Sequence, residues 1–244
     1  MNITIYTITY NEEKMLPFFL DHYSKFASKI VIYDNESTDD TVKIAKSYYP
    51  LVTDIKHVST KNTLDDRMYL GVRNHCWTED TADYVMLVDA DELIYYEDNI
   101  AEYLQSTNEP VYRLKGYDMV SENFPKSDSS ITSQIKQGVF NKSYCKPIVF
   151  NPSVVKRAIF KMGLHDGEFY DKKDLKINPT QSELKLLHYK NLGFEYINNR
   201  HKIFAERMCD FNRVTGLGRH YLWDKDTHKK EFDLLLNNST KIIP

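Results

Sequence analysis

The sequence predicts an α/β protein in which helices cover a mostly parallel sheet. In the first half of the chain, short apolar and β-branched runs alternate with longer segments whose apolar residues recur at helical spacing. This alternation is typical of parallel strands that are joined by crossover helices. With 244 residues, of which 41% are hydrophobic, the chain is long enough to bury a large core in one domain.

Helical and extended segments alternate from the first residues onward. Residues 13–26 carry Leu16 and Phe19 at helical spacing, and Ser37 followed by Asp40 resembles the capping signal of a second helix. The strands around these helices are predicted at residues 2–8, 29–33 and 51–58, where apolar or β-branched residues predominate. We expect these strands to be neighbours in one sheet.

Beyond residue 60 the predicted elements become less regular. A polar helix at residues 64–77 precedes an apolar strand at residues 83–88. The remaining assignments are a strand at 111–120, a polar loop at 121–133, an irregular aromatic segment at 139–159 and a helix at 194–213. Since no repeat or linker separates the two halves, the sequence predicts a single domain over residues 1–244.

Composition argues against several classes of partner and location. The net charge of -3 gives no basic excess, so no nucleic-acid partner is expected. Cys76, Cys145 and Cys209 are far apart and odd in number, which predicts neither a zinc site nor a disulfide framework. No apolar run approaches the roughly 18 residues of a transmembrane helix, and the first residues do not resemble a signal peptide. We therefore expect a cytoplasmic protein, with peripheral association at the inner face of a membrane left open.

An apolar run at residues 84–88 ends in alternating carboxylates. In an extended chain Asp89 and Asp91 share one face, while Ala90 points to the other. Carboxylates at a strand's carboxyl end suit a hard cation, and Mg²⁺ is commonly held by one or two carboxylates together with substrate phosphates. The motif therefore suits a divalent cation and a phosphate-bearing substrate, although an acidic pair standing alone is more typical of a solvated loop.

Polar loops follow the first two strands as well. Ligands bind at the carboxyl ends of the strands in open α/β sheets, so these loops should converge with Asp89 on one edge. Asp39 and Asp40 are explained by their place at a helix amino terminus, which favours negative charge. The loop after the first strand is Thr-Tyr-Asn-Glu-Glu at 9–13, and in the loop after the second strand Asp34 is the functional candidate because it occupies the strand end.

Together these motifs resemble the GT-A nucleotide-sugar glycosyltransferases, especially glycosyltransferase family 2. The resemblance is carried by Thr-Tyr-Asn-Glu at 9–12, Asp-Asn-Glu-Ser-Thr-Asp-Asp at 34–40 and Val-Asp-Ala-Asp-Glu at 88–92. Arg73-Asn74, which lies 16 positions before Asp89 (89 − 73), resembles an Arg-Asn pair of that family.

Later segments look like a narrower group of bacterial polysaccharide-type transferases. They are Lys-Pro-Ile-Val-Phe-Asn-Pro at 146–152, Leu-Leu-His-Tyr-Lys at 186–190 and Gly-Arg-His-Tyr at 218–221. His75 and Leu217 depart from that group's pattern, in which Asn and Trp are expected, and these departures concern the acceptor pocket more than the fold.

The resemblance implies a GT-A fold in which residues 1–110 bind the nucleotide sugar and residues 111–244 form the acceptor side. It implies that Thr9, Asn11, Glu13 and Asp34 surround the base and ribose, that Arg73 and Asp89 contact the donor diphosphate, and that Asp89, Asp91 and His188 bind Mn²⁺ or Mg²⁺. A core histidine with satisfied hydrogen bonds would equally explain His188. His165 is assigned to the acceptor site. His220 is assigned either to the core or to the acceptor site.

Glycosyl transfer with inversion also needs a base that takes the acceptor's proton. Asp166 and Glu168 lie between the acidic motif and His188, roughly where GT-A enzymes carry this base, so both are predicted as catalytic. A plain acidic turn would give the same local sequence.

The resulting functional expectation is a metal-dependent transfer of sugar from a nucleoside-diphosphate sugar to a saccharide or lipid-linked saccharide, with inversion, in surface polysaccharide synthesis. A catalytically inactive nucleotide-sugar-binding protein is the alternative. A sugar nucleotidylyltransferase fits less well, because residues 9–13 contain no glycine-rich, basic phosphate loop.

Overall fold

A mixed ten-stranded sheet forms the centre of the structure, a computed structural model that describes all 244 residues. A separate sheet of three short strands packs beside it. The strands are β1 (Ile3–Thr9), β2 (Lys29–Asp34), β3 (Val52–His57), β4 (Tyr84–Leu87), β5 (Glu92–Tyr95), β6 (Val111–Ser121), β7 (Gln137–Phe140), β8 (Val149–Phe150), β9 (Arg157–Phe160), β10 (Gly167–Tyr170), β11 (Lys176–Ile177), β12 (Thr180–Leu192) and β13 (Thr240–Lys241).

Eight α-helices connect or cover these strands. They are α1 (Leu16–Tyr23), α2 (Thr41–Ser47), α3 (Asp66–His75), α4 (Ile100–Thr107), α5 (Ile131–Gln134), α6 (Phe194–Arg207), α7 (Asp210–Thr215) and α8 (Lys225–Asn237). Short 3₁₀ turns occur at Lys142–Tyr144, Met162–Leu164 and Arg219–Leu222. None of the helices has the length and apolar character needed to cross a bilayer.

The first half of the chain builds a parallel core in the order β3, β2, β1, β4. In the register of β1 and β2, Thr9 lies opposite Asp34, so the two strands end at the same level. Every residue of β1 except Ile8 is buried, because the chain covers both faces of the sheet. The predicted α/β fold is thereby confirmed, and the loops after these strands meet at one edge.

The second half continues the same sheet. β6 and β12 pair in parallel, β5 pairs with β12 in antiparallel orientation, and β8 lies antiparallel between β4 and β6. A hydrophobic core of 44 buried residues draws on both halves, with Met86, Phe150 and Leu186 among its members.

The predicted elements of the first half are present, with ends shifted by a few residues. The predicted loop at 121–133 gains the short helix α5 near its end, and the irregular segment at 139–159 contains two short strands, β8 and the start of β9. The prediction did not include β12 or α8.

The predicted helix at 194–213 is two helices, because the chain leaves the helical conformation at Met208. There Leu64 donates its backbone N–H to the carbonyl of Arg207 and accepts from the N–H of Cys209, which makes a short parallel bridge. A contact between distant segments thus overrides the local periodicity.

Candidate active site

A cavity of about 260 Å³ opens at the carboxyl edge of the parallel strands, beneath α6. Residues from both halves of the chain line it. The sequence candidates among the lining residues are Thr9, Arg73, Asp89, Asp91, His165, His188 and His220, whereas Asp34 is not among them. The structure therefore brings the acidic motif, one basic residue and the proposed histidine to one space.

Basic side chains face both carboxylates of the acidic motif. Asp89 forms an ion pair with Arg73 and lies 3.9 Å from the Lys146 amine. Burial opposes ionisation of Asp89, yet the charges of Arg73 and Lys146 hold its pKa below the usual range. Asp91 is buried and lies 3.4 Å from a guanidinium nitrogen of Arg200. Basic side chains therefore lie against both carboxylates of the motif.

Glu92 anchors the buried Lys146 beside the acidic motif. The amine of Lys146 donates to Glu92 Oε1 at 2.5 Å, and both side chains are almost completely buried. The other oxygen of Glu92 accepts the backbone N–H of Asp89 at 3.2 Å. The Glu92 side chain thus fixes both the Lys146 amine and the backbone of the acidic motif at Asp89.

His188 lies beside the acidic pair in a defined orientation. Its Nδ1 is 2.8 Å from Asp118 Oδ1, and its Nε2 is 3.8 Å from Asp91 Oδ1. Because the Asp118 carboxylate only accepts, Nδ1 carries the proton and the Nε2 lone pair faces Asp91. Asn141 donates to the second oxygen of Asp118 at 2.6 Å, and the Tyr144 ring stacks on the imidazole at 4.1 Å. A ring oriented in this way by a carboxylate is common among metal-binding histidines.

The residue types and the orientation of His188 suit a divalent cation, with Asp89, Asp91 and His188 as ligands. The structure contains no set of three or more acidic, histidine or cysteine side chains arranged around a common point. Arg73 and Arg200 instead lie against the two carboxylates. The metal role of these residues stays a prediction.

Two of the predicted nucleoside contacts have buried oxygens without partners. Thr9 is 1% exposed, and its hydroxyl makes no hydrogen bond. Asp34 is 7% exposed and accepts the backbone N–H of Ser37 with one oxygen, while the other has no partner. A buried acceptor without a donor is costly unless a ligand or water supplies one.

Asn11 and Glu13 do not line the cavity. Asn11 Oδ1 accepts the backbone N–H of Thr38 at 2.7 Å, and the Glu13 carboxylate accepts that of Asp40 at 3.3 Å. Both side chains therefore fasten the loop after β1 to the loop after β2. Neither side chain therefore lies where it was predicted to contact the base and ribose.

Asp166 and Glu168, the predicted bases, also lie outside the cavity lining. Asp166 accepts from Arg113 at 2.7 Å and from Lys161 at 3.3 Å. Glu168 belongs to the three-stranded sheet, is exposed, and accepts from Lys176 at 2.9 Å. Local ion pairs account for both carboxylates, and the structure does not bring them to the acidic motif.

Two arginines of α6 line one side of the cavity, and the sequence patterns did not indicate them. Arg200 donates to both oxygens of Glu12 at 3.1 and 2.8 Å. Arg207 donates to Asn35 Oδ1 at 2.8 Å, and its guanidinium lies 3.1 Å from the centroid of the Tyr10 ring. These partners are 188 and 172 positions away in the chain, so no local signal pointed to them.

The fold is a GT-A fold. The family described as Glycosyl transferase family 2 matches residues 4–161, which is more than half of the chain. The chain belongs to this family. A crystal structure of S. aureus TarS has a similar fold, with a TM-score of 0.50 and 16% identity, over 84% of this chain and 39% of that one.

Two curated relatives are similar over shorter stretches. The SPbeta prophage-derived glycosyltransferase SunS of Bacillus subtilis strain 168 is 36% identical over 97 residues, which is 40% of this chain and 21% of that protein. The uncharacterized glycosyltransferase RT0209 of Rickettsia typhi is 31% identical over 112 residues, or 45% of this chain and 35% of that protein. In these comparisons the chain spans about a third of its relatives' length or less.

Proposed function

We propose that this protein transfers a sugar from a nucleoside-diphosphate sugar to a saccharide or lipid-linked saccharide acceptor. The observation that carries the proposal is the cavity in which the acidic motif, His188 and the cations Arg73 and Lys146 meet. Such a site suits a diphosphate, which needs positive charge on its oxygens both when it binds and when it leaves. Inversion and a role in surface polysaccharide synthesis are part of the proposal and rest on family resemblance.

In this proposal Asp89, Asp91 and His188 hold Mn²⁺ or Mg²⁺, which acts as a Lewis acid for the leaving diphosphate. Arg73 and Lys146 neutralise the remaining charge of the diphosphate. The free oxygens of Thr9 and Asp34 are suitable acceptors for N–H and O–H groups of the nucleoside.

His165 is the proposed proton acceptor, since Asp166 and Glu168 lie outside the cavity lining. Its ring lines the cavity, and its Nδ1 lies 2.7 Å from the Ser143 carbonyl. The carbonyl requires a proton on Nδ1, which leaves the Nε2 lone pair free. Burial, with Lys146 nearby, lowers the pKa of His165 below its usual value, so the ring is neutral at pH 7.

A thermal-shift experiment tests the donor site. A nucleoside diphosphate should raise the melting temperature more in Mn²⁺ or Mg²⁺ than in chelator, because a ligand that binds only the native state stabilises it. Asp89→Asn should lose this difference, whereas Asp128→Asn, an exposed loop change, should keep it. Equal shifts with metal and with chelator would contradict the metal-dependent site.

Turnover separates the enzyme from the alternative of an inactive binding protein. Metal-dependent hydrolysis of a nucleotide sugar, measured as release of nucleoside diphosphate, is expected from the wild-type chain. His165→Gln should bind the nucleotide normally but lose at least about 100-fold in acceptor-dependent turnover, the usual contribution of a general base. Binding without any turnover in the wild-type protein would favour the inactive alternative.

A further inference from the structure

We propose that Lys190 and His201 form a subsite for an anionic group, a carboxylate or a phosphate, on the acceptor or on the transferred sugar. The subsite lies in the same cavity as the acidic motif and rests on the function proposed above. It would make the protein selective for charged over neutral saccharides. Three observations carry the inference: the placement of Lys190, its lack of an acidic partner, and the tautomer of His201.

The strand β12 points Lys190 into the cavity. Side chains two positions apart lie on the same face of a strand, so Lys190 shares the cavity face with His188. Tyr189 between them points the other way and is completely buried in the core. The lysine is thus fixed by the same strand that places His188 next to Asp91.

Lys190 has no acidic partner. Its amine lies 2.8 Å from Nε2 of His220, which is its single side-chain hydrogen bond and is made to a neutral ring. Of the four other cavity cations, Arg73, Lys146 and Arg200 pair with Asp89, Glu92 and Glu12 respectively. Arg207 also lacks an acidic partner, but it donates to Asn35 Oδ1 and lies on the Tyr10 ring. Asp118 and Asp91 act on Lys190 only at a distance, and neither forms an ion pair with it. A cation enclosed by protein without a directly paired anion is costly, and an anionic ligand reduces that cost.

His201 presents an N–H group that has no acceptor. Nε2 of His228 lies 2.6 Å from the His220 carbonyl and 3.0 Å from Nδ1 of His201. The carbonyl only accepts, so His228 Nε2 carries a proton, His201 Nδ1 accepts, and the proton of the neutral His201 ring is on Nε2. This Nε2 is buried without a partner, in a side chain that is 6% exposed and lines the cavity.

The location separates this subsite from both ends of the proposed donor. Arg73 and Lys146, the proposed diphosphate contacts, flank Asp89. Arg207, at the far end of α6, stacks on Tyr10 beside the proposed nucleoside contacts. Lys190 and His201 instead hydrogen-bond to His220 and His228, which follow α7 in the part of the chain proposed for the acceptor. This favours the acceptor or the transferred sugar as the source of the anion.

Calorimetric titration of the full chain, saturated with Mn²⁺ and the nucleoside diphosphate that binds it best, tests the inference. The probes are two matched pairs: D-glucuronate with D-glucose, and sn-glycerol 3-phosphate with glycerol. We expect one anionic probe to bind at least tenfold more tightly than its neutral counterpart, and the pair that shows this identifies carboxylate or phosphate. Lys190→Met should abolish the preference, whereas Lys202→Met, an exposed change on α6, should retain it.

Three results would overturn the subsite. They are equal binding of anionic and neutral probes by the wild type, a preference that survives Lys190→Met, and loss of nucleoside-diphosphate affinity in that variant, which would assign Lys190 to the donor. His201→Phe keeps a ring in place and removes the N–H, so it tests the inference if Lys190→Met does not fold. A wild-type chain that binds no nucleoside diphosphate would contradict the proposed function itself, and this is measured first.

Discussion

The Asp118 carboxylate determines which nitrogen of His188 faces the acidic pair. Asp118 Oδ1 accepts a hydrogen bond from the Nδ1–H group, with 2.8 Å between oxygen and nitrogen, and this bond increases the basicity of Nε2. Asp118→Asn should therefore weaken Mn²⁺ binding by about 10 to 100-fold, the usual effect of losing such a partner. The measurement is a titration of free Mn²⁺ by electron paramagnetic resonance, without substrate.

The exposed Asp128→Asn serves as the control for this prediction and should bind Mn²⁺ like the wild type. A ¹⁵N spectrum of His188 gives an independent result, since its Nδ1–H tautomer should be less populated in Asp118→Asn. Unchanged Mn²⁺ affinity with an altered tautomer would mean that His188 is not a metal ligand.

Sequence patterns predicted the part of this site that lies on short motifs. Asp89 and Asp91 are predicted because they end an apolar strand, and His188 because it follows an apolar pair in a family-like segment; the structure places all three at the cavity, and their roles stay predictions. Arg200 and Arg207 were not found, since their partners are distant in the chain and α6 carries no local sign of them. Asp166 and Glu168 show the reverse case, in which local position suggested a role but ion pairs hold the side chains outside the cavity lining.

At the scale of elements, Gly116 in β6 allows the 3₁₀ turn Lys142–Tyr144, which follows β7, to pack against β6. A Cβ at this position would lie 2.2 Å from the backbone carbonyl carbon of Tyr144, the residue whose ring stacks on His188. Gly116→Ala should therefore displace the turn and lower the free energy of unfolding by about 1 to 3 kcal/mol. Urea unfolding measures the loss, and nucleoside-diphosphate binding should weaken with it.

Gly71 in α3 offers the matched control, because nothing lies within 4 Å of a Cβ built there. Gly71→Ala should raise the free energy of unfolding by up to about 1 kcal/mol, as expected for alanine in a helix interior. Equal effects of the two substitutions would contradict the close approach of Tyr144 to β6.

The elements that sequence predicted well are those whose periodicity is set by the core. β1, β2 and β4 are apolar and buried, so composition and length alone indicated strands. β12 mixes polar residues that face the cavity with apolar residues that face the core, which weakens its signal. The break between α6 and α7 depends on hydrogen bonds to Leu64, which no local window contains.

Across the whole molecule, buried neutral histidines should make stability depend on pH. Burial lowers the pKa of His22 to about 4, while its Nε2 lies 2.8 Å from the Ile94 carbonyl. Between this value and the unfolded pKa of about 6.5 the unfolded chain binds more protons, so stability falls as the pH decreases. His22 alone should lower the free energy of unfolding by about 2 kcal/mol between pH 7 and pH 5.

Urea unfolding at pH 7 and pH 5 measures this effect. Burial also lowers the pKa of His201 to about 2 and of His220 to about 3, which adds to this loss. Burial raises the pKa of Glu12 to about 8, which opposes it, so the share of His22 is measured against its own variant. His22→Gln should reduce the difference between the two pH values, whereas His57→Gln, at an exposed position, should leave it unchanged. An equal dependence of stability on pH in the wild type and in His22→Gln would contradict the neutral state of His22.

The long-range contacts of α6 have a consequence for synthesis on the ribosome. Arg200 meets Glu12 and Arg207 meets Asn35, pairs that are separated by 188 and 172 residues. A nascent chain that ends before α6 already contains the acidic motif but lacks one wall of the cavity. With the function proposed above, we expect such an unfinished chain neither to bind nor to cleave the donor sugar, so that nucleotide binding would require α6 to have been translated and docked.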